Sequence, residues 1–523
     1  MPELTIDGRA VAVREGASLL DAARSLGIDI PTLCYLPGHP PQASCLLCLV
    51  KVEGRTRLAP SCATPAADGM VVRTDGEDVW EARRTAIELL LSDHLGDCIG
   101  PCQSVCPAHM DIPRMTRLIS AGRLREALIT VKERIPLPAT LGRICPELCE
   151  KGCRRAAHDG AVTVCQLKRF VADEDLRSGD PYVPEKPPAT GKTVAIIGAG
   201  PAGLSAAYYL LQMGHACRVL DERDEPGGML RYAVPEDRLP RAVLDAEIDL
   251  IRRLGAEFRQ GVRVGATISL AELRSEVDAV VLATGAIADA VPPEGVPVDS
   301  KGIRANRETL ETELDGVFVA GSALAPSHHA VRAVADGRAV AHAIARYLSG
   351  GKPERPHREF SVHVGRLAAE EVRPYVAGRT VAPRRDASGG PDAGYTRAEA
   401  VEQASRCLHC ECAKTAECRL RRFAAEYGAN PTRFRGDRRT YEVDTSNPEV
   451  IFEPSKCIAC GICVRIAAEA SEELGLTFVG RGFTVRTAVP FHGTLSEGLR
   501  RVARACADAC PTGAIVRREE PLP

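Results

Sequence analysis

The sequence predicts a multidomain chain that joins α+β modules to an α/β module, and three observations carry that expectation. Its 523 residues leave room for three or four domains. Residues 193–222 read TVAIIGAGPAGLSAAYYLLQMGHACRVLDE, which is an apolar strand at 193–197, a glycine turn, an apolar helix at 205–213 and a second strand. The 21 cysteines fall in four clusters, with Cys217 alone. No signal peptide is legible at MPELTIDGRA, so clustered cysteines point to metal ligands before a disulfide framework. The net charge of −2 gives no bulk attraction for nucleic acid. Apolar runs such as residues 86–91, interrupted by Glu88, are far too short to span a membrane, and a cytoplasmic protein is expected.

Residues 1–80 form the first expected domain. Residues 4–6 and 9–13 flank Asp7-Gly8, a two-residue hairpin signal. Ser18 caps an expected helix running to Leu26, and Gly27 stops it. Cys34, Cys45, Cys48 and Cys62 follow with gaps of ten, two and thirteen residues. Three thiolates in one loop and a fourth beyond a hairpin are similar to plant-type ferredoxins, with a longer first gap. The stretch resembles the 2Fe–2S domain at the start of the large iron–sulfur subunit of respiratory complex I and of many hydrogenases and formate dehydrogenases. That resemblance implies a β-grasp fold and a 2Fe–2S cluster on these four cysteines. Zinc is the alternative for four thiolates, and the hairpin–helix–loop context favours iron–sulfur.

Residues 81–177 read as a helical domain. His94, Cys98, Cys102 and Cys106 are evenly spaced, Pro107 follows, and residues 115–118 and 124–131 read as short helices. LGRICPELCEKGC supplies Cys145, Cys149 and Cys153, and Cys165 comes later in VTVCQLKRF. Seven cysteines and a histidine suffice for two 4Fe–4S clusters. The run CxxxCPxxxDIP, LGRICPELCE and LKRFVAD resembles the N-terminal domain of the glutamate synthase small subunit, and dihydropyrimidine dehydrogenase has a similar domain. The resemblance implies that Cys98, Cys102 and Cys153 share one cluster. His94 sits nearest the place of the family's missing first cysteine, and HLGDC is similar to the His-plus-three-Cys site of the complex I subunit. The alternative for His94 is an exposed loop residue. A second cluster would take Cys106, Cys145 and Cys149. The family's fourth ligand falls at Lys168, whose ammonium cannot ligate iron. Cys165, one turn earlier, is the expected substitute, with Gln166 the weaker one.

Residues 190–350 follow a Pro-rich linker and read as a Rossmann-like domain. Gly198, Gly200 and Gly203, with Pro201 and Ala202 between them, form GxGxxG. The first glycine allows the tight turn, the second lets backbone approach a pyrophosphate, and the third lets helix pack on strand. Anions are favoured at the helix N-terminus. Asp221 ends the next strand, 18 residues past Gly203, where a ribose hydroxyl is bound. The alternative is a glycine-rich turn in an ordinary α/β domain. EPGGMLRYAVPEDRLPR then repeats a motif of the glutamate synthase family, implying that Gly227, Gly228, Met229, Leu230 and Arg238 lie along the dinucleotide. Residues 277–283 read as a strand ending in Ala283, Thr284 and Gly285, residues 316–320 lead to Gly321, and residues 329–347 read as the closing helix. The resemblance marks the dinucleotide as FAD. Two departures stand out. Only 30 residues, 286–315, separate the ATG strand from the closing strand, and there is no second glycine fingerprint. A nicotinamide-binding insertion is therefore not expected. Ser322 also stands where the family carries an aspartate, and it can donate a hydrogen bond there.

Residues 351–425 read as a wrapping linker that ends in RCLHCECAKTAEC. Its Cys407, Cys410, Cys412 and Cys418 suit one local 4Fe–4S cluster, or zinc. In residues 445–523, CIACGIC supplies Cys457, Cys460 and Cys463, and CADACPTGAI supplies Cys506 and Cys510-Pro511. CxxCxxC with a distant Cys-Pro is the bacterial ferredoxin device, which assigns one 4Fe–4S cluster to Cys457, Cys460, Cys463 and Cys510. Cys506 is left as a buried thiol or an alternative ligand.

These expectations total one FAD, one 2Fe–2S cluster and about four 4Fe–4S clusters. No acid–base pair or activated nucleophile is legible. A flavin exchanges one or two electrons and each cluster carries one. The leading reading is an oxidoreductase subunit that passes electrons among FAD, its clusters and partner redox subunits. Those partners would be of the NADH-oxidising flavoprotein, hydrogenase or formate dehydrogenase type. The alternatives are a self-contained NAD(P)H:acceptor oxidoreductase like the glutamate synthase small subunit, and an assembly protein that holds zinc.

Overall fold

The computed structural model describes residues 1–286, 295–300, 302–376, 382–437 and 441–518. The chain divides into two compact units. One is Met1–Ile99, Glu359–Ala377 and Cys410–Pro523, and the other is Gly100–Arg358 and Gly378–His409. Among the described residues no helix is long and apolar enough to cross a membrane.

In the first unit β1 (Glu3–Ile6) and β2 (Arg9–Ala12) form the hairpin written by Asp7-Gly8, with Asp7 at φ 49° and Gly8 at φ 76°. Both positive angles are what a type I′ turn requires, and Asp and Gly adopt them at low cost. Strands β3 (Leu49–Val52), β4 (Ala59–Pro60) and β5 (Val71–Arg73) complete a mixed sheet of order β2-β1-β5-β3-β4, with β1 and β5 parallel. The helix Leu19–Ser25 opens on a capping box in which Ser18 and Asp21 exchange hydrogen bonds. It buries Leu19, Leu20, Ala22 and Ala23 in the core beside the sheet. The helix Glu77–Ser92 places Arg83 where its guanidinium donates to Leu49 O at 2.8 Å and to Tyr427 Oη at 3.1 Å. The C-terminal stretch joins this unit through such contacts.

The second unit holds a helical layer and a parallel sheet. The helices Ile112–Ser120, Leu124–Lys132, Pro138–Ile144 and Val164–Arg177 enclose one apolar core with Cys106, Cys149 and Cys165 among its buried members. The sheet runs β12-β9-β6-β7-β8, all parallel, from β6 (Thr193–Ile197), β7 (Ala216–Asp221), β8 (Glu257–Gln260), β9 (Ala279–Leu282) and β12 (Val317–Val319). Strands β6, β9 and β12 are near-continuous apolar runs because helices cover them, whereas the edge strand β8 is the polar EFRQ. β9 and β12 pair directly, Val280 opposite Val317. Between them the described residues hold only the two-stranded β10 (Val298–Asp299) and β11 (Gly302–Ile303). Residues 287–294 and 301 of the short stretch expected to lack a nicotinamide insertion lie outside the described residues, as do residues 377–381 of the wrapping linker.

The C-terminal part of the first unit carries β13 (Val450–Phe452) paired antiparallel with β16 (Ile515–Arg517), and β14 (Thr477–Val479) paired with β15 (Arg486–Ala488). Two helices, Ile462–Glu469 and Ala503–Ala509, pack on these pairs around Cys506.

Candidate functional site

A cavity of about 830 Å³ opens at the carboxyl ends of β6, β7 and β9, the position where open α/β sheets bind ligands. Its wall includes Gly198, Gly200, Pro201, Ala202, Asp221, Gly228, Met229, Leu230, Arg238, Ala283, Thr284, Gly285 and Ser322. The other three sequence-predicted residues stand behind that wall. A Cβ at Gly203 would lie 1.9 Å from Gly198 O, so the helix Pro201–Gln212 packs on β6 only with glycine there. Gly198 itself has φ 107°, and a Cβ on it would lie 2.4 Å from Ala283 O. Gly227 takes φ 130° and Gly321 takes φ 68°. Asp221 Oδ2 accepts from Ala199 N–H at 2.6 Å and Oδ1 accepts from Arg223 N–H at 2.9 Å. These bonds hold the carboxylate at the cavity edge. Ser322 Oγ donates to Ser327 O at 3.1 Å. Arg223, Arg263, His328 and His329 also line the cavity, and no motif marked them as such. The glycine-bounded width and the size fit an extended dinucleotide.

The same wall includes Leu141, Ile144, Cys145 and Pro146 from the helical layer. The cause is a buried carboxylate. Glu247, 1% exposed, accepts from the N–H groups of Ala139 and Thr140 at 2.7 and 2.8 Å, at the first turn of Pro138–Ile144. This fixes the helix start, and its C-cap is Cys145. Burial raises the Glu247 carboxyl, and the Thr140 and Ala139 donors oppose that rise.

Behind Cys145, Lys168 is buried among Cys165, Cys145, Cys149 and Cys106, whose thiolate charge raises its ammonium against desolvation. Cys145 and Cys165 are hydrogen-bond partners, and Cys165 also partners Cys149. The Cys145 bond lowers the Cys165 thiol, but the Cys149 bond and burial outweigh it and push the thiol up to about 12. The structure thus gathers the four cysteines that the sequence groups as the second helical-domain cluster. Thiols raised as Cys145 and Cys165 are ionise only with a compensating cation, which iron would supply.

The N-terminal thiols converge as two pairs. Cys34 pairs with Cys45, and Cys48 Sγ lies 3.3 Å from Cys62 Sγ. The hydrogen bond from Cys45 lowers Cys34 to about 5, and that from Cys62 lowers Cys48 to about 7, while both partners are raised. Two pairs, each able to take one iron, are what a two-iron cluster needs. In the C-terminal part, Cys457, Cys460, Cys463 and Cys510 line one small apolar pocket. Burial pushes Cys460 up to about 12. Cys506 does not line that pocket and is fully buried, with Sγ 3.7 Å from Cys463 O. Cys217, apart from the cysteine clusters in sequence, is a residue of β7 buried in the core of the parallel sheet.

The remaining cysteines are distributed differently from their sequence runs. Cys407 packs in the helical core of the second unit, against which Cys102 and Cys153 also pack. Cys412 and Cys418 belong to the first unit, where Cys98 has both as electrostatic neighbours. His94 Nδ1 lies 3.0 Å from Lys456 O. Burial, then the Lys456 charge, holds its imidazole down to about 4, so it is neutral.

Three family models match the chain. Residues 2–77 match the 2Fe-2S iron-sulfur cluster binding domain, residues 95–180 match dihydropyrimidine dehydrogenase domain II with its 4Fe-4S cluster, and residues 173–337 match the pyridine nucleotide-disulphide oxidoreductases. The chain carries iron–sulfur and oxidoreductase modules. A NADPH-Fe(3+) oxidoreductase subunit beta of Geobacter sulfurreducens is 41% identical over 207 residues, 39% of this chain and 30% of that one. A NADP(+)-dependent formate dehydrogenase subunit beta of Moorella thermoacetica is 40% identical over 206 residues, 35% of this chain and 29% of that one. A glutamate synthase [NADPH] small chain of Mycobacterium tuberculosis is 40% identical over 195 residues, 37% of this chain and 40% of that one. The match spans less than half the length of each relative. The likeness to the glutamate synthase small chain and to dihydropyrimidine dehydrogenase, read from motifs, is found in these comparisons.

Proposed function

We propose that this chain is an iron–sulfur flavoprotein subunit of a larger oxidoreductase, passing electrons between FAD, its clusters and partner redox subunits. The observation that supports it is the shared cavity wall, which carries Asp221 at one place and Cys145 at another. A flavin held there would touch the residue next to a cluster site, with no organic substrate pocket needed between them. When bound, FAD supplies exchange between two-electron and one-electron carriers.

The chain's own residues then position and insulate. Gly200 and Gly228 let backbone approach the dinucleotide, and Asp221 takes a ribose hydroxyl. Cys106, Cys145, Cys149 and Cys165 hold one 4Fe–4S cluster around Lys168, and Cys457, Cys460, Cys463 and Cys510 hold another. Cys34, Cys45, Cys48 and Cys62 hold the 2Fe–2S cluster on a sheet we read as a β-grasp. The partners would be of the formate dehydrogenase, hydrogenase or NADH-oxidising flavoprotein type.

Relatives named for NADPH favour the second reading, a self-contained NAD(P)H:acceptor oxidoreductase. Anaerobic addition of NADH or NADPH to the purified chain separates the two. Under the first reading the flavin stays oxidised until a partner is added. Rapid bleaching of the flavin by the chain alone overturns it.

A further inference from the structure

We propose that Cys98, Cys412 and Cys418, with His94 as the fourth ligand, form one iron–sulfur site joining two distant stretches of the first unit. Neither sequence run supplies it alone. The four cysteines of RCLHCECAKTAEC are divided, because Cys407 is packed in the helical core of the second unit. Of the three that remain in the first unit, Cys410, Cys412 and Cys418, it is Cys412 and Cys418 that have Cys98 as an electrostatic neighbour.

The backbone brings Cys98 to them. Cys412 N–H donates to Asp97 O at 2.9 Å. Thr415 Oγ1 shares its single proton between Cys98 O at 2.5 Å and Cys412 O at 2.6 Å, so one hydroxyl bridges both ligand backbones. Asp97 Oδ1 accepts from Val364 N–H at 3.1 Å and fixes the far side of the Cys98 loop. Cys418 is the N-cap of the helix Arg419–Glu426, and its Sγ accepts from Arg421 N–H at 3.4 Å. That placement puts a backbone donor and the positive end of the helix dipole against the sulfur. Cys98, Cys412 and Cys418 are each at most 9% exposed and lie within one another's electrostatic reach.

His94 completes the set. Its Nδ1 is engaged by the Lys456 carbonyl at 3.0 Å, which leaves Nε2 as the nitrogen for a metal. A ligating histidine characteristically donates its other ring N–H to such a carbonyl. Leu95 N–H donates to Ser455 O at 2.8 Å and holds this loop on the same segment. The Lys456 ammonium, paired with Glu453 at 2.5 Å, is an electrostatic neighbour of His94, Cys98 and Cys412. Its charge offsets the negative charge of thiolates and cluster. A Cβ at Gly513 would lie 2.2 Å from Cys412 Sγ, so glycine leaves room for the ligand there.

The grouping deepens the electron-carrier reading and rests on it, and the test separates the two. The full chain is purified anaerobically as wild type and as Cys98→Ser, Cys412→Ser, Cys418→Ser, Cys407→Ser and His94→Cys. Iron, zinc and flavin contents and the EPR spectrum of the reduced protein are recorded, with flavin content reporting on intact folding. Cys98→Ser, Cys412→Ser and Cys418→Ser are expected to lose one and the same signal, with about four iron atoms. Cys407→Ser should keep that signal and lose a different one. If Cys407→Ser and Cys412→Ser delete the same signal, the grouping is overturned. So is a wild-type chain with stoichiometric zinc that Cys412→Ser removes. The wild type should show a strong nitrogen coupling to this cluster by pulsed EPR. His94→Cys should abolish it and lower the potential, as thiolate replaces imidazole. Absence of the coupling in the wild type removes His94 from the site, even if a variant misfolds. A chain with no iron at all overturns the electron-carrier reading itself.

Discussion

Lys168 Nζ stands 4.0 Å from Cys165 Sγ, with the two residues one turn apart on the helix Val164–Arg177. An ammonium buried this deeply is costly unless negative charge surrounds it. Here Cys165, Cys145, Cys149 and Cys106 supply that charge. Lys168→Met should leave iron content unchanged and lower the reduction potential of the associated cluster by on the order of 100 mV, from one charge at several ångströms in an effective dielectric near 20. An EPR-monitored redox titration checks it, and an unmoved potential would show that the lysine has no electrostatic hold on the cluster.

Cys165→Ala addresses the neighbouring residue and has a different expected outcome. It should remove one cluster, seen as lost iron and a lost EPR signal, while flavin stays bound. Unchanged iron and an unchanged spectrum would remove Cys165 from the ligand set.

Gly198→Ala and Asp221→Ala test the dinucleotide cavity by separate mechanisms. An alanine Cβ at position 198 meets Ala283 O at 2.4 Å on a backbone of φ 107°, so flavin should be lost and not recovered with excess FAD. Asp221→Ala removes the acceptor for Ala199 N–H and should weaken FAD roughly 10- to 100-fold, by the loss of a charge-assisted hydrogen bond. Excess FAD should restore it. Flavin fluorescence after gel filtration reads both.

His342 predicts a direction for acid sensitivity. Burial, then Arg338 and Arg134, lowers its folded pKa from 6.5 to about 4. The unfolded chain therefore takes up the proton first as pH falls. Stability from the neutral imidazole is full above pH 6.5 and is lost progressively as pH drops from 6.5 toward 4. Melting temperatures of wild type and His342→Gln, compared across that window, should show a shallower fall in the variant. Parallel curves would contradict the assignment.

Much of the fold was legible because local chemistry decided it. The expected strand at 193–197 is β6 residue for residue, since an apolar β-branched run ending in glycine leaves one good conformation. The Asp7-Gly8 turn and the Ser18 cap follow from side chains that act within four residues. The closing helix, expected at 329–347, is Ala330–Leu348 with His329 as N-cap. The helix expected at 205–213 starts earlier, at Pro201, because proline is favoured in a first turn. The long helices Glu77–Ser92 and Arg241–Arg253 carry little motif signal and emerge only from packing.

The cysteine sites divide along the same line. By itself the sequence singled out the residues proposed to carry the chemistry, namely the glycine cradle, Asp221 and the spaced thiols, because turns, caps and short metal loops are set by neighbours along the chain. Only the tertiary structure decided which thiols meet. It placed Cys145 on the wall of the Asp221 cavity through Glu247, and it set Cys98 beside Cys412 and Cys418. The Cys412 N–H to Asp97 O bond and the Thr415 to Cys98 bond, 317 residues apart, leave no mark in either local pattern. Long-range pairing is chosen by burial and by the demand that every buried donor find an acceptor, and that demand is met only once the whole chain has folded.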